Sequence, residues 1–190
     1  MQDLVYSLIK EDVENGGKIR SNGTKEILGY HFKVKYPDFE EFKKEIPEFK
    51  KAYEEAGGDW EYKQMMEEQH YKKLEGSLLH AINENKYYLK ENLFDSRRFI
   101  SLSTDCISNI QLIFREDEVF LGVYFRSSEI NNLLPVDLDF LYGLVQKAIQ
   151  YVERRAGTDT YEEINPKVIE KIKNSKFVVD LSFGSLHERL

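Results

Sequence analysis

Arg126, Ser127 and Ser128 directly follow an apolar stretch, Val119 to Phe125 (VFLGVYF), and Cys106 lies twenty residues upstream of the arginine. A guanidinium fork beside hydroxyl donors suits a phosphate dianion, because its paired N–H groups match two phosphate oxygens. A thiol becomes a useful nucleophile once positive neighbours favour its thiolate form. Together these groups point to a protein that anchors a nucleotide by its phosphate and attacks its base. Cys106 also has a plainer reading as a small buried hydrophobe, although Ser103-Thr104-Asp105 make its surroundings polar.

Other residues of the same chemical kind lie along the chain. Arg20, Arg97 and Arg98 are surface charges by default, and phosphate ligands if folding gathers them near Arg126. Asp137 follows Pro135 at the expected start of a helix. It reads either as an N-cap or as a carboxyl that hydrogen-bonds the edge of a base. His187 is a lone histidine near the end of the sequence. His31, His70 and His80 have no ligand spacing with Cys106, so no metal site is expected, and no glycine-rich phosphate loop is present.

The elements that must position these groups are legible from hydrophobic period and breakers. Leu4, Leu8 and Val13 predict a helix over Asp3 to Glu14, stopped by Asn15-Gly16-Gly17. A turn, Arg20-Ser21-Asn22-Gly23-Thr24, leads into a strand over Glu26 to Tyr36 with a break at Gly29. Pro37-Asp38 opens helical sequence to Ala56, interrupted at Pro47, and more helix is expected from Trp60 to Glu91. FISLS, NIQLIF and VFLGVYF then read as short strands, the last two joined by the polar turn Arg115 to Glu118. Asp137 opens a helix with Leu138, Leu141, Leu144, Val145, Ala148, Ile149 and Val152 on one face. A short helix from Pro166 to Lys173 and a strand from Phe177 to Leu181 complete the order. Helices and a central hairpin in this arrangement predict an α+β fold, a mixed sheet covered by helices, in one domain over residues 1–190.

Bulk composition narrows the partners. Hydrophobic residues at 41% and aromatic ones at 13% are enough for a packed core rather than a disordered chain. No apolar run approaches the roughly 20 residues that cross a bilayer, so no membrane partner is expected. The first residues carry early acids and no small-residue cleavage site, and a single cysteine forms no internal disulfide. A cytoplasmic protein is expected. The net charge of −7, with Lys and Glu interleaved as in EEFKKEIPEFKKAYEE, argues against polymeric nucleic acid. A single phosphate is compatible with it, provided a few arginines converge.

In order, these pieces resemble the thymidylate synthase family, which includes the pyrimidine-nucleotide hydroxymethylases. Arg20-Ser21-Asn22-Gly23-Thr24 with Ile27 to Phe32 is similar to the family's phosphate loop and first strand. Asp95-Ser96-Arg97-Arg98 is similar to its D-S-R-R element, which reaches the phosphate of the neighbouring subunit. Cys106 and Gln111 have the spacing of its nucleophile and strand glutamine. Phe125-Arg126-Ser127-Ser128-Glu129 is similar to Q-R-S-x-D, and Leu134-Pro135-Val136-Asp137 to L-P-F-N. Gly184-Ser185-Leu186-His187 is similar to the segment that holds the sugar.

The resemblance implies a thymidylate-synthase-like fold and a pyrimidine C5 methyl- or hydroxymethyltransferase. Cys106 would add to C6 of a dCMP- or dUMP-type nucleoside monophosphate, and methylenetetrahydrofolate would donate the carbon. Arg20, Arg126 and Ser127 would hold the phosphate, joined by Arg97 and Arg98 of a partner in a homodimer. Asp137 and Gln111 would contact the base and His187 the sugar. Asp at 137, where the synthases carry Asn, implies a preference for cytosine.

Several family features differ. Cys106 follows Arg98 by only eight positions, Ile107 stands where a histidine follows the nucleophile, and Arg189 takes the place of a sugar-binding tyrosine. The glutamate helix that organises proton relay has no counterpart, leaving Glu40, Glu41 and Glu61 as candidate substitutes. The chain ends at Leu190 without the tail that closes over folate. The alternative reading is therefore a catalytically degenerate member that binds a nucleotide or a protein partner as a regulator.

Overall fold

The structure, a computed structural model, describes residues 5–84, 100–102, 107–115, 117–156 and 166–189. It shows an α+β architecture. Helix α1 (Val5–Gly16) precedes strands β1 (Lys18–Ile19) and β2 (Thr24–Tyr36). Helices α2 (Phe39–Lys43), α3 (Ile46–Glu55) and α4 (Trp60–Glu84) follow. Strands β3 (Ile100–Leu102), β4 (Ile107–Phe114) and β5 (Glu118–Glu129) come next, then α5 (Leu134–Ala156), α6 (Pro166–Asn174) and β6 (Lys176–Arg189). Among the described residues the strands form one six-stranded sheet in the order β1-β2-β6-β5-β4-β3. All neighbours are antiparallel except β5 and β6. That parallel pair needs a crossover connection, which α5 and α6 supply.

The expected elements are present, with three differences of extent. Helix α4 is described to Glu84, and residues 85–91 of the expected helix lie outside the described residues. The last strand runs to Arg189 rather than stopping at Leu181, because β2 and β5 pair with it along both edges. Helix α5 begins at Leu134, so Asp137 sits within its first turn and is not the N-cap. The Asp137 amide donates to the Leu133 carbonyl at 2.8 Å, already a helical bond.

One face of the sheet makes the core. Val119, Leu121, Val123 and Phe125 of β5 alternate with more open residues, as do Phe177, Val179, Leu181 and Phe183 of β6. Against them lies the apolar stripe of α5, where all seven residues from Leu138 to Val152 expected on one face are buried. An aromatic cluster closes one end, with the rings of Phe39 and Tyr142 stacked 4.9 Å apart and Phe42 and Phe177 at 5.5 Å. Glu45, 5% exposed, ties three segments together there. It accepts the Val5 amide at 2.9 Å and the Tyr36 hydroxyl. Burial raises its pKa, opposed by those two donors.

The sheet is not regular throughout. The β4–β5 register shifts between Ile107 and Asn109, and the ladders form no pair at Arg126, Gly184 and Gly29, which face one another across β5, β6 and β2 in an otherwise unchanged register. Gly29 has φ 63°, a conformation that L side chains disfavour. A Cβ on Gly184 would stand 2.8 Å from the Arg126 carbonyl oxygen. The irregularity thus crosses four strands in one line, a stacked set of bulge-like sites. Beyond it the buried face changes phase: Phe125 and Phe183, stacked 4.6 Å apart, point to the core before it, and Ser128 and Leu186 after it. Such discontinuities re-aim side chains at a strand end, and this one re-aims the residues around Arg126.

Candidate functional site

The end of the sheet beyond the discontinuity gathers residues that are far apart in sequence. Ser127 is the register partner of Ser185, and Glu129 of His187, across β5 and β6. His187 is in turn opposite Glu26 on β2. The Ser185 hydroxyl donates to Glu26, whose other oxygen accepts from Arg20 Nε at 2.6 Å. Arg20 is delivered by a tight turn in which its carbonyl accepts from Gly23 and its amide donates to Thr24. The Ser185 hydroxyl first, then Arg20 and His187, hold the Glu26 carboxyl below its ordinary pKa against a smaller opposing effect of burial.

Arg126 is exposed and has no ion-pair partner among the described residues. Several other cations of the sheet are already matched: Arg20 with Glu26, Lys33 with Asp180, and Lys35 with Glu118. An uncompensated guanidinium beside hydroxyls at a bulge is a competent anion ligand. Arg20 differs from the expectation in this respect, since Glu26 already neutralises it.

Ser128 and Asp137 form the second half of the region. Fully buried Ser128 donates its hydroxyl to Asp137 Oδ2 at 3.2 Å. The Asp137 residue keeps some exposed surface, yet its carboxyl is enclosed, and burial pushes its pKa up to about 7. The Ser128 hydrogen bond and the charge of Lys63 pull the other way without overcoming it. Position in the first turn of α5 also favours the anion through the helix dipole, so desolvation must be the dominant effect. Near neutral pH this carboxyl can thus either donate or accept a proton.

The expected residues are not all brought together. Gln111 stands opposite Gly122 on β4, between buried Ile110 and Leu112. Strand alternation turns it away from the helix-covered face on which Ser128 meets Asp137. The strand period of two thus places Gln111 and Ser128 on different faces of the sheet. Cys106, Arg97 and Arg98 lie outside the described residues. Glu40 and Glu41 pair with Lys43 and Lys44, and Glu61 is exposed, so none of the three is a buried acid suited to proton relay.

Two clefts are lined by other residues. One of about 540 Å³ lies between α4 and α5, against Gln64, Met65, Asp139 and Tyr142. Another of about 390 Å³ is lined from α1, α3, the turn after β5 and the end of β6. Neither includes Arg126, Ser127 or Asp137. Sequence reading missed Glu26, Ser185 and the Ser128–Asp137 bond. The turn at Asn22-Gly23 was the available signal for the first, since it folds Glu26 back toward Arg20; nothing local marks the others.

No family model matches the chain, and no curated protein matches it. Among solved structures it is similar to thermostable thymidylate synthase A from Bacillus subtilis, at 16% identity and a TM-score of 0.46. The match covers 96% of this chain and 78% of that one. No described helix is long and apolar enough to cross a membrane.

Proposed function

We propose that the chain is a thymidylate-synthase-like protein that binds a pyrimidine nucleoside monophosphate and transfers a one-carbon unit to C5 of its base. The observation that carries this reading is Arg126: an exposed guanidinium without an acidic partner among the described residues, beside Ser127, at a sheet discontinuity, in a protein of net charge −7. It supplies the phosphate end. Asp137, eleven residues on and hydrogen-bonded by Ser128, supplies the base end. His187 of β6 stands directly opposite Glu129 of β5, two residues beyond Ser127, where a sugar bridging the two ends would pass.

In this reading Arg126 and Ser127 fix the phosphate, and Arg20 joins them by exchanging Glu26 for it. Asp137 accepts from the exocyclic amine of cytosine and shares its proton with N3, which favours dCMP over dUMP. The Cys106 thiolate would add to C6 and make C5 nucleophilic, and methylenetetrahydrofolate, when bound, would supply the one-carbon unit; loss of the C5 proton would then expel the thiolate from C6. Positioning contributes most of the effect, since fixing C6 against sulfur removes the entropy of encounter. Arg97 and Arg98 reach the phosphate from the partner in a homodimer.

The test is tritium release from C5-tritiated dCMP and dUMP, with and without methylenetetrahydrofolate. Release that is faster with dCMP and abolished in Cys106→Ser is expected. No release from either nucleotide, with Cys106→Ser indistinguishable from the native chain, would remove the catalytic half of the proposal. Nucleotide binding that survives in Cys106→Ser without any release would identify a regulatory binder instead.

A further inference from the structure

The cleft of about 390 Å³ between α1, α3 and the turn after β5 is lined by a buried carboxylate with one oxygen unpartnered among the described residues. Glu129 is 3% exposed. Its Oε2 accepts the Asn132 amide at 2.7 Å, and its Oε1 is enclosed with no hydrogen-bond partner among the described residues. Buried polar atoms are nearly always paired, and leaving a charged one orphaned is costly.

Two neutral donors of the cleft are engaged elsewhere. The Tyr6 hydroxyl donates to Asn131 Oδ1 at 3.3 Å, and the Asn131 amide donates to Glu188 Oε1 at 3.3 Å. Lys10 and Arg189 share the lining but form no ion pair with Glu129. The field inside is acidic: burial first, and then Glu129, Glu188, Glu14 and Glu55 in turn, push the Tyr6 phenol up to about 12. A cleft of this size accommodates a small molecule rather than a bare ion.

We propose that this cleft binds a small aliphatic ammonium compound, whose N–H groups satisfy Glu129 Oε1 while its chain lies along Tyr6 and Ala52. Arg126, Ser127 and Asp137 are not part of its lining, although Glu129 stands opposite His187, so amine binding that persists in Arg126→Ala separates this site from the nucleotide reading. Two sources share the ammonium chemistry. A plain amine would use Glu129 alone, whereas a zwitterionic amino acid would also place its carboxylate on Lys10 and Arg189.

Titration calorimetry of the full chain with putrescine, L-lysine and the uncharged 1,4-butanediol tests this. Saturable binding of at least one amine and none of the diol is expected. Affinity should fall about tenfold or more in Glu129→Gln and severalfold in rim variant Glu55→Gln, with Arg126→Ala unchanged, as loss of a charge-assisted bond dictates. Tighter binding of L-lysine than of putrescine would assign the zwitterion, and the reverse order the plain amine. Absence of saturable binding by both amines overturns the proposal. So does unchanged affinity in Glu129→Gln, or in Glu55→Gln should the first variant fail to fold.

Discussion

Asp137 and Arg126 show how far a residue type plus its spacing can be read. The carboxyl at 137 and the guanidinium at 126 were both visible as candidates, and their environments then set their properties. Asp137 has a folded pKa of about 7 against an ordinary 3.8. The folded state therefore holds its proton through a window in which the unfolded chain has lost it, and stability falls as pH rises from about 4 to about 7. At roughly 1.4 kcal/mol per unit, the native chain should lose on the order of 2–4 kcal/mol across that range from this group. Asp137→Asn should flatten the loss and be more stable than the native chain at pH 8, which denaturant titrations at pH 5 and pH 8 would reveal. The same titration bears on recognition: dCMP binding should tighten between pH 8 and pH 6.5 in the native chain and show no such dependence in Asp137→Asn. What the sequence concealed was the partner. Ser128 is one of two adjacent serines in FRSSE, and only the change of buried face beyond Arg126 turns it inward toward Asp137.

At the scale of elements, the discontinuity through Arg126, Gly184 and Gly29 does most to shape the site. Gly184 is needed because the neighbouring backbone comes within contact distance of any added Cβ. Gly184→Ala should destabilise the fold by about 1–3 kcal/mol through overpacking. Gly29→Ala should cost about 1–2 kcal/mol through its left-handed φ. Chemical denaturation would measure both, and Gly184→Ala should also weaken nucleotide binding because the shift falls on the Arg126 backbone. The helices were legible because their apolar stripes and breakers are local, as in α5 and the glycines after α1. The last strand was read short because Ser182, Gly184 and Ser185 are weak strand formers, and Ser185 breaks the alternation that Phe183 continues. Their strand conformation comes from pairing with β2 and β5, which no local pattern announces.

At the scale of the molecule, the order of segments along the chain suggested an α+β fold with a mixed sheet, and the structure has that architecture. The sequence did not reveal that Arg126 would sit at a phase change in the sheet, or that Ser128 beyond it would turn toward the Asp137 carboxyl. A homodimer is a proposal at this scale, with Arg97 and Arg98 completing the partner's phosphate site. Mixing an Arg97→Ala/Arg98→Ala double variant with Arg126→Ala in equal amounts should then restore about a quarter of the sites, since half the dimers are mixed and each carries one intact site. Activity that stays at the level of the separate variants would contradict a shared site.

The central claim is that Arg126 anchors a pyrimidine nucleotide. Calorimetric titration of the native chain and Arg126→Ala with dCMP tests it most directly. Saturable binding by the native chain, weakened about 30- to 100-fold in the variant by loss of a charge-assisted phosphate contact, is the predicted result. Absence of binding by the native chain, or equal affinity in Arg126→Ala, would contradict it.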